Sequence, residues 1–246
     1  MSTYVYGIVR SSHPLRLDGR AGVGDPAPPV RRIEAGDLVA VVSDAPEGLR
    51  AKRRDLTAHQ EVLDLLGEQG AVLPMRFGTV APDDGAVTEE LTRAAAYYED
   101  LLARLDGRTE VNVKAFHNED AALREVLRED AGLRSANEAL RAAGGGTPAE
   151  RVAFGERVAL VLDEHRRRDA DRVVEKLRPH AEEIALGPQV DGCVANVSLL
   201  VERSRMAEVE QAVQELRSSL GWLMDIRMHG PLPPYSFVAA REEAVH

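Results

Sequence analysis

Three short apolar stretches near the N-terminus predict β-strands. Tyr4–Val9, Val30–Glu34 and Leu38–Ser43 are rich in aromatic and β-branched residues, which favour the pleated surface of a sheet. Gly36 and Asp37 lie between the last two stretches and supply a turn. The sequence therefore predicts that the N-terminal part of the chain begins with a sheet of three strands.

The spacing of the apolar residues changes in the next segment, where it becomes helical. Residues that would share one face of a helix recur at intervals of three and four: Leu56, His59, Val62, Leu63 and Leu66. This pattern predicts an amphipathic helix over about Asp55–Glu68, capped either by Asp55 or by Thr57 with Gln60. A second helix, capped by Thr88, is predicted over Glu89–Arg104.

From Thr109 onward the pattern predicts four strands separated by helices. The strands are Glu110–Phe116, Ile184–Leu186, Gly192–Val201 and Trp222–His229, and the helices are Glu119–Arg128, Leu133–Ala142, one from Pro148 to about Arg178, and one that Ser204 caps and Gly221 ends. Asn118 is placed to cap the first of these helices, and Thr147 with Glu150 forms a capping box for the long one. The order of these elements is that of a ferredoxin-like split βαβ unit with extra helix in its first crossover.

The predicted fold class is α+β with two domains. Residues 1–108 are expected to form an N-terminal mixed α/β sheet domain, and residues 109–246 a modified ferredoxin-like domain with inserted helices. The second domain is expected to end in a proline-stiffened strap, Gly230–Val238, followed by a charged tail.

The stretch Ala71–Val80 combines an apolar pattern with an unusual arginine. Period-two alternation predicts a strand with Leu73, Met75 and Phe77 on the core face and Arg76 on the other face beside Pro74. Proline has no N–H to donate, so this segment is not expected to be a fully paired central strand. Two interpretations of Arg76 stay open: a structural arginine paired with a carboxylate, or part of a recognition surface.

Composition and charge exclude several classes of function. The net charge of −10 and the pI near 5.3 argue against binding to nucleic acid, which requires a basic face. Cys193 is the single cysteine, so neither an intramolecular disulfide nor a cysteine metal cluster is expected. The N-terminus lacks the pattern of a signal peptide and no run has transmembrane length. These features predict a cytoplasmic protein that does not bind membranes.

The sequence carries no motif that requires catalysis. It has no phosphate-binding loop, no H-E-x-x-H zinc motif and no G-x-S-x-G nucleophile elbow. His59, on the apolar helix face, is more typical of a hydrogen-bonded core residue than of a catalytic group. We therefore expect a protein that is not an enzyme and needs no cofactor or metal.

Two strings of residues together carry a resemblance to a known family. The segments Val72–Thr79, containing L-P-x-R-F-G, and Gly230–Phe237, containing G-P-x-P-P-Y-S-F, resemble the gas vesicle synthesis proteins of the GvpL/GvpF family. Tyr4–Ile8 and Glu110–Lys114 fit as well, so the resemblance spans nearly the whole chain. It implies a two-domain α+β protein that is located at gas vesicles and binds the small hydrophobic shell protein and other gas vesicle accessory proteins. Such a protein would help nucleate or build the vesicle.

We expect the two strings to lie close together, with Arg76 and Tyr235 in one contact that serves either stability or partner binding. The candidate residues for partner binding are His59, Arg76, Phe77, Pro233, Pro234 and Tyr235. An alternative function is that of a ferredoxin-like regulatory protein that binds a small ligand. A third is a hydrolase using Arg76 and His59, which requires both side chains to point into a concave pocket.

Overall fold

The computed structural model describes residues 1–17, 19–188, 190 and 192–238, and the predicted charged tail lies outside them. Its strands are β1 (Thr3–Arg10), β2 (Arg31–Ala35), β3 (Leu38–Asp44), β4 (Leu73–Pro74), β5 (Val80–Ala81), β6 (Arg108–His117), β7 (Glu183–Leu186), β8 (Cys193–Glu202) and β9 (Met224–Leu232). Its helices are α1 (Arg53–Gln69), α2 (Asp84–Arg93), α3 (Ala95–Leu105), α4 (Glu119–Glu129), α5 (Ala131–Ala142), α6 (Pro148–Leu177) and α7 (Met206–Leu220). The predicted α+β class is confirmed.

The first sheet has the strand order β2-β3-β1-β4. Strand β5 also pairs with β1, at Thr3 and Tyr4, whereas β4 pairs with Gly7 and Ile8. Every pairing in this sheet is antiparallel. In β1 all residues except Arg10 are buried, because the strand lies between β3 and β4 and also contacts α1 and α3. The three predicted N-terminal strands are therefore present, with β1 in the middle of the sheet.

The predicted strand over Ala71–Val80 is wrong for most of its length. Leu73 and Pro74 form ladder pairs with β1, the chain then makes a turn, and Val80 pairs with Tyr4 at the start of β5. The turn spans Arg76–Thr79: the Thr79 N–H donates to the Arg76 carbonyl over 3.1 Å, and Gly78 has a φ of +91°. A glycine adopts this positive φ without steric cost, so the alternation ends here. As expected, the segment lies at the edge of the sheet.

Two predicted helix starts are also corrected. The carboxylate of Asp83 accepts the Ala86 N–H over 2.9 Å and caps α2, whereas the Thr88 hydroxyl donates back to the Asp84 carbonyl inside the helix. The single predicted helix Glu89–Arg104 is split at Ala94 into α2 and α3. In α1, Lys52 occupies the N-cap without a side-chain bond, and Asp55 is buried inside the first turn.

The second half of the chain follows the predicted element order closely. The Thr147 capping box is present at the start of α6, and the Asn118 side chain caps α4. Strands β7, β8, β6 and β9 form a sheet in that order. Trp222, predicted in the last strand, instead precedes β9 and is 56% exposed. The helix after Ser204 starts at Met206, following a short 3-10 turn.

The described residues form two compact units. The first contains residues 1–111, residues 200–203 and the segment from Gly230 onward, and the second contains residues 112–199 and 204–229. The strap thus belongs to the first unit, together with α1 and the first sheet. The candidate residues for partner binding all lie in this unit.

Candidate partner-binding surface

His59 is held in the core of the first unit by the register of α1. The buried side chains of this helix are Asp55, His59, Val62, Leu63 and Leu66, which share one face. His59 is only 3% exposed, and its ring stacks on Tyr6 with a centroid distance of 5.6 Å. Tyr4 and Phe77 meet the same ring edge-on at 5.7 Å each. The predicted position of His59 on the apolar face is correct, and the residue is part of an aromatic cluster.

Hydrogen bonds to both ring nitrogens fix the tautomer of His59. Nε2 lies 3.1 Å from the Met75 carbonyl oxygen, which can only accept, so Nε2 carries the proton and donates. Nδ1 then accepts from the Tyr4 hydroxyl over 2.9 Å. The Tyr4 oxygen in turn accepts the N–H of Gly78 over 3.2 Å. The network thereby ties α1, β1 and the Arg76–Thr79 turn to one neutral imidazole.

The strap reaches the same imidazole from the far end of the sequence. The Tyr235 hydroxyl oxygen lies 3.2 Å from His59 Nε2 and shares its N–H with Met75. Tyr235 is held there because the 3-10 turn Tyr235–Phe237 is anchored by buried Glu110, whose carboxylate accepts the Ser236 N–H over 2.8 Å and its hydroxyl over 2.7 Å. The Thr109 hydroxyl also donates to the Leu232 carbonyl over 3.0 Å. The two family strings therefore lie close together, as predicted, and both contact His59.

Burial sets the protonation of this cluster. Loss of solvent lowers the pKa of His59, with the Met75 carbonyl opposing this effect. Burial likewise raises the pKa of Tyr4 to about 12 and raises that of Tyr235. At neutral pH these side chains are therefore uncharged, and the network consists of neutral hydrogen bonds.

A shallow depression lies at the surface above this network. It has a volume of about 490 Å³ and is lined by Arg53, Leu56, Thr57, His59, Gln60, Arg76, Phe77 and Tyr235. Four of the six predicted partner-binding residues are thus brought together: His59, Arg76, Phe77 and Tyr235. Phe77 is half-buried rather than a core residue, and Arg76 is exposed. Pro233 and Pro234 instead line a separate cavity of about 220 Å³ with Asp64, Arg108 and Arg203.

The hydrolase hypothesis fails on the position of His59. Both ring nitrogens are engaged and the side chain is packed away from solvent, so it has no free nitrogen to accept a substrate proton.

Within the described part of the chain, no group of three or more His, Cys, Asp or Glu side chains could hold a metal ion. None of the helices that the structure describes is both long and apolar enough to cross a bilayer.

Sequence reasoning missed three contributors to this surface. The apolar pattern predicts Tyr4 only as a strand residue, although a buried tyrosine hydroxyl needs a partner and so indicates a polar network. The pattern also predicts Leu56 on the buried helix face, but this residue is 42% exposed. Arg53 lies before the predicted start of the helix and therefore had no place in the pattern. Arg53 and Leu56 both line the depression.

The fold and this surface define an α+β protein in which a buried, neutral histidine joins two distant segments beneath an apolar depression. Residues 2–239 match the family described as "Gas vesicle synthesis protein GvpL/GvpF". The chain belongs to this family.

Individual relatives cover almost the full chain. Gas vesicle protein F of Streptomyces sp. (strain CB03234) is 49% identical over 238 residues, covering 97% of this chain and 100% of the relative. Gas vesicle protein L of the same organism is 31% identical, covering 99% of this chain and 95% of the relative. The crystal structure of GvpF from Anabaena sp. PCC7120 superimposes with a TM-score of 0.80 at 23% identity, covering 96% of this chain and 98% of that one. That of GvpF from Microcystis aeruginosa gives a TM-score of 0.76 at 26% identity, with the same coverage.

Proposed function

We propose that the chain is an accessory or minor structural protein of gas vesicle assembly that binds the small hydrophobic shell protein. The observation that carries this proposal is the meeting of both family strings at one apolar depression, in a chain that belongs to the GvpL/GvpF family throughout its length. Bound there, a shell subunit would be delivered to the growing vesicle or would help nucleate it.

The chemistry of the depression suits such a partner. A shell subunit exposes apolar surface before assembly and is prone to aggregate in that state. Leu56, Phe77 and Tyr235 offer apolar surface, while the net charge of −10 of the whole chain favours solubility of a complex. The protein would therefore act in the cytoplasm and at gas vesicles, together with other gas vesicle accessory proteins, and by binding rather than by catalysis.

The architecture of the second half supports a finer proposal about the fold. The element order from β6 to β9 and the sheet order β7-β8-β6-β9 are those of a split βαβ arrangement in which α4 and α5 extend the first crossover. We infer a modified ferredoxin-like domain built on β6–β9 and their crossover helices, after an N-terminal domain. The predicted division into residues 1–108 and 109–246 differs from the compact units, in which residues 109–111 and the strap belong to the first unit.

Two experiments test the proposed function. The first is co-purification of the shell protein with the tagged full chain, and the second is deletion of the gene that encodes this chain. We expect the shell protein to be retained by the tagged chain and vesicle number to fall in the deletion strain. Vesicles of unchanged number and shape in the deletion strain would refute the proposal. A tagged unrelated acidic protein of similar net charge serves as the control for nonspecific capture.

A further inference from the structure

We propose that the depression recognises an acidic amphipathic segment of its partner, with an apolar side chain on Phe77 and Tyr235 and carboxylates on Arg53 and Arg76. This inference rests on the proposed function for the identity of the partner protein, but the chemistry of the segment is argued from the surface itself. Three observations carry it: the fixed apolar floor, the charges at the rim, and the unfavourable placement of basic residues at the start of α1.

The floor of the depression is apolar and rigidly held. The Phe77 ring packs edge-on against both Tyr4 and His59, with centroid distances of 6.0 and 5.7 Å. Tyr235 is fixed by its contact with His59 and by the anchoring of the adjacent Ser236 on Glu110. Leu56 contributes a side chain that is 42% exposed although it is aliphatic. Little side-chain entropy would be lost when an apolar group binds to such a preformed floor.

The rim of the depression has the opposite charge to the rest of the molecule. The chain contains 41 acidic and 31 basic residues, yet the described residues that line this depression include Arg53 and Arg76 and no carboxylate. Asp64, which accepts a hydrogen bond from Gln60 over 2.7 Å, lies beside the lining and not in it. Thr57 and Gln60 complete the lining with uncharged polar groups. An acidic segment would thus find local attraction here, while the net negative charge of the molecule would repel it elsewhere.

The start of α1 places basic residues where they weaken the helix. Lys52 occupies the N-cap without a capping hydrogen bond, and Arg53 and Arg54 follow in the first turn. The N-terminal end of a helix carries a partial positive charge, so acidic residues are favoured there and basic ones are not. Arg54 is compensated by Asp25 and Asp55, at 2.8 and 3.2 Å. Arg53 instead lines the depression, and a role in binding explains why a basic residue occupies this unfavourable position.

Charge and apolar surface together select the partner segment. A purely apolar segment would gain nothing from the two guanidinium groups, and a purely acidic one would leave the aromatic floor uncovered. A segment with leucine-like side chains on one face and carboxylates beside them satisfies both. The binding of such a segment should be strengthened at low ionic strength, because the rim charges are exposed.

The test measures fluorescence anisotropy of labelled synthetic helical peptides with the purified full chain. One peptide has leucines at helical spacing and glutamates between them; a second replaces each glutamate by lysine, and a third replaces each leucine by serine. We expect the first to bind roughly tenfold more tightly than the other two at low salt. Equal binding of the glutamate and lysine peptides, or no binding of the first, would overturn the proposal.

A charge-reversed variant provides the complementary measurement. Arg53→Glu combined with Arg76→Glu should reverse the preference, so that the lysine peptide binds more tightly than the glutamate peptide. Arg20→Glu combined with Arg124→Glu makes the same change in net charge at exposed positions outside the depression, and should leave the preference unchanged. Because Arg53→Glu places a favourable charge at the helix start, Arg53→Glu alone should not lower the unfolding midpoint. A preference unaffected by the double variant would refute the assigned site.

The same variants separate this inference from the proposed function. If the wild-type chain retains the shell protein and the charge-reversed chain retains it equally, the acidic-segment inference fails while the proposed function stands. If the wild-type chain selects the acidic peptide but does not retain the shell protein, the proposed function fails and the surface chemistry stands.

Discussion

At the scale of single residues, His59 joins segments that are far apart in sequence. Its two nitrogens hold Tyr4 and the Met75 carbonyl, and Tyr235, which is 176 residues away, approaches Nε2. Replacing His59 would leave two of these polar groups buried without their partner. A buried polar atom that loses its hydrogen bond costs more than the bond itself contributed.

His59→Phe is therefore expected to lower the free energy of unfolding by about 2–4 kcal/mol, because it keeps an aromatic ring in the cluster but removes both nitrogens. His229→Phe, at an exposed position on β9, should change the free energy by less than about 0.5 kcal/mol. Urea unfolding followed by circular dichroism measures both. A loss of similar size in the two variants would contradict the network.

The lowered pKa of His59 gives stability a definite dependence on pH. In the unfolded chain the imidazole takes up a proton near its ordinary pKa of 6.5, whereas in the folded protein it stays neutral to lower pH. Burial also lowers the pKa of His13, which acts in the same direction. The free energy of unfolding should thus fall as the pH drops below 6.5 towards the folded pKa values.

The measurement is urea unfolding between about pH 7.5 and pH 5.5, a range above the titration of ordinary carboxylates. His59→Gln should be less stable at neutral pH but should show a smaller decrease over this range. An unchanged slope in the variant would show that the imidazole is not the group responsible.

At the scale of elements, the close approach of α1 and β4 to β1 depends on Gly7. A Cβ at this position would lie 2.9 Å from the Leu73 carbonyl oxygen, 3.0 Å from Val72 and 3.1 Å from Leu63. Those atoms belong to packed backbone and to core side chains, which cannot move away cheaply. Gly155 lies on the exposed surface of α6, and a Cβ at this position would by contrast meet nothing within 4 Å.

Gly7→Ala is expected to lower the free energy of unfolding by about 1–3 kcal/mol through overpacking. Gly155→Ala should raise it by up to about 1 kcal/mol, because alanine is the better helix former. Thermal unfolding of the two variants beside the wild-type chain measures the pair. Opposite signs support the packing described here, and stabilisation by Gly7→Ala would contradict it.

Sequence patterns predicted elements best where the structure is locally determined. The capping box at Thr147 and the apolar face of α1 depend on residues three or four positions apart, and both are present. The failure at Ala71–Val80 has a different origin: alternation continues through Phe77, but the ladder with β1 ends after Pro74 and the turn at Arg76–Thr79 brings the chain back to β1. The extent of pairing depends on β1, which lies more than sixty residues earlier in the sequence. Local alternation does not contain that information.

At the scale of the whole molecule, the candidate surface could be predicted only in outline. Periodicity placed His59 on a buried helix face, and the joint occurrence of two strings indicated that the strap lies near Arg76. The contribution of Arg53 and Leu56 depends on the three-dimensional course of the strap and the turn, so no pattern along the chain could reveal it. The separation of Pro233 and Pro234 from Tyr235 likewise follows from the way the strap turns after Leu232.

If the depression at Arg76 serves binding, loss of the guanidinium should weaken partner binding without a matching loss of stability. The affinity for the shell protein and the free energy of unfolding are measured for the wild-type chain, for Arg76→Ala and for the control Arg20→Ala. We expect Arg76→Ala to weaken binding by roughly three- to tenfold while changing stability by less than about 0.5 kcal/mol, and Arg20→Ala to change neither. A steep loss of stability with unchanged affinity would show that Arg76 is structural and would contradict a role in binding.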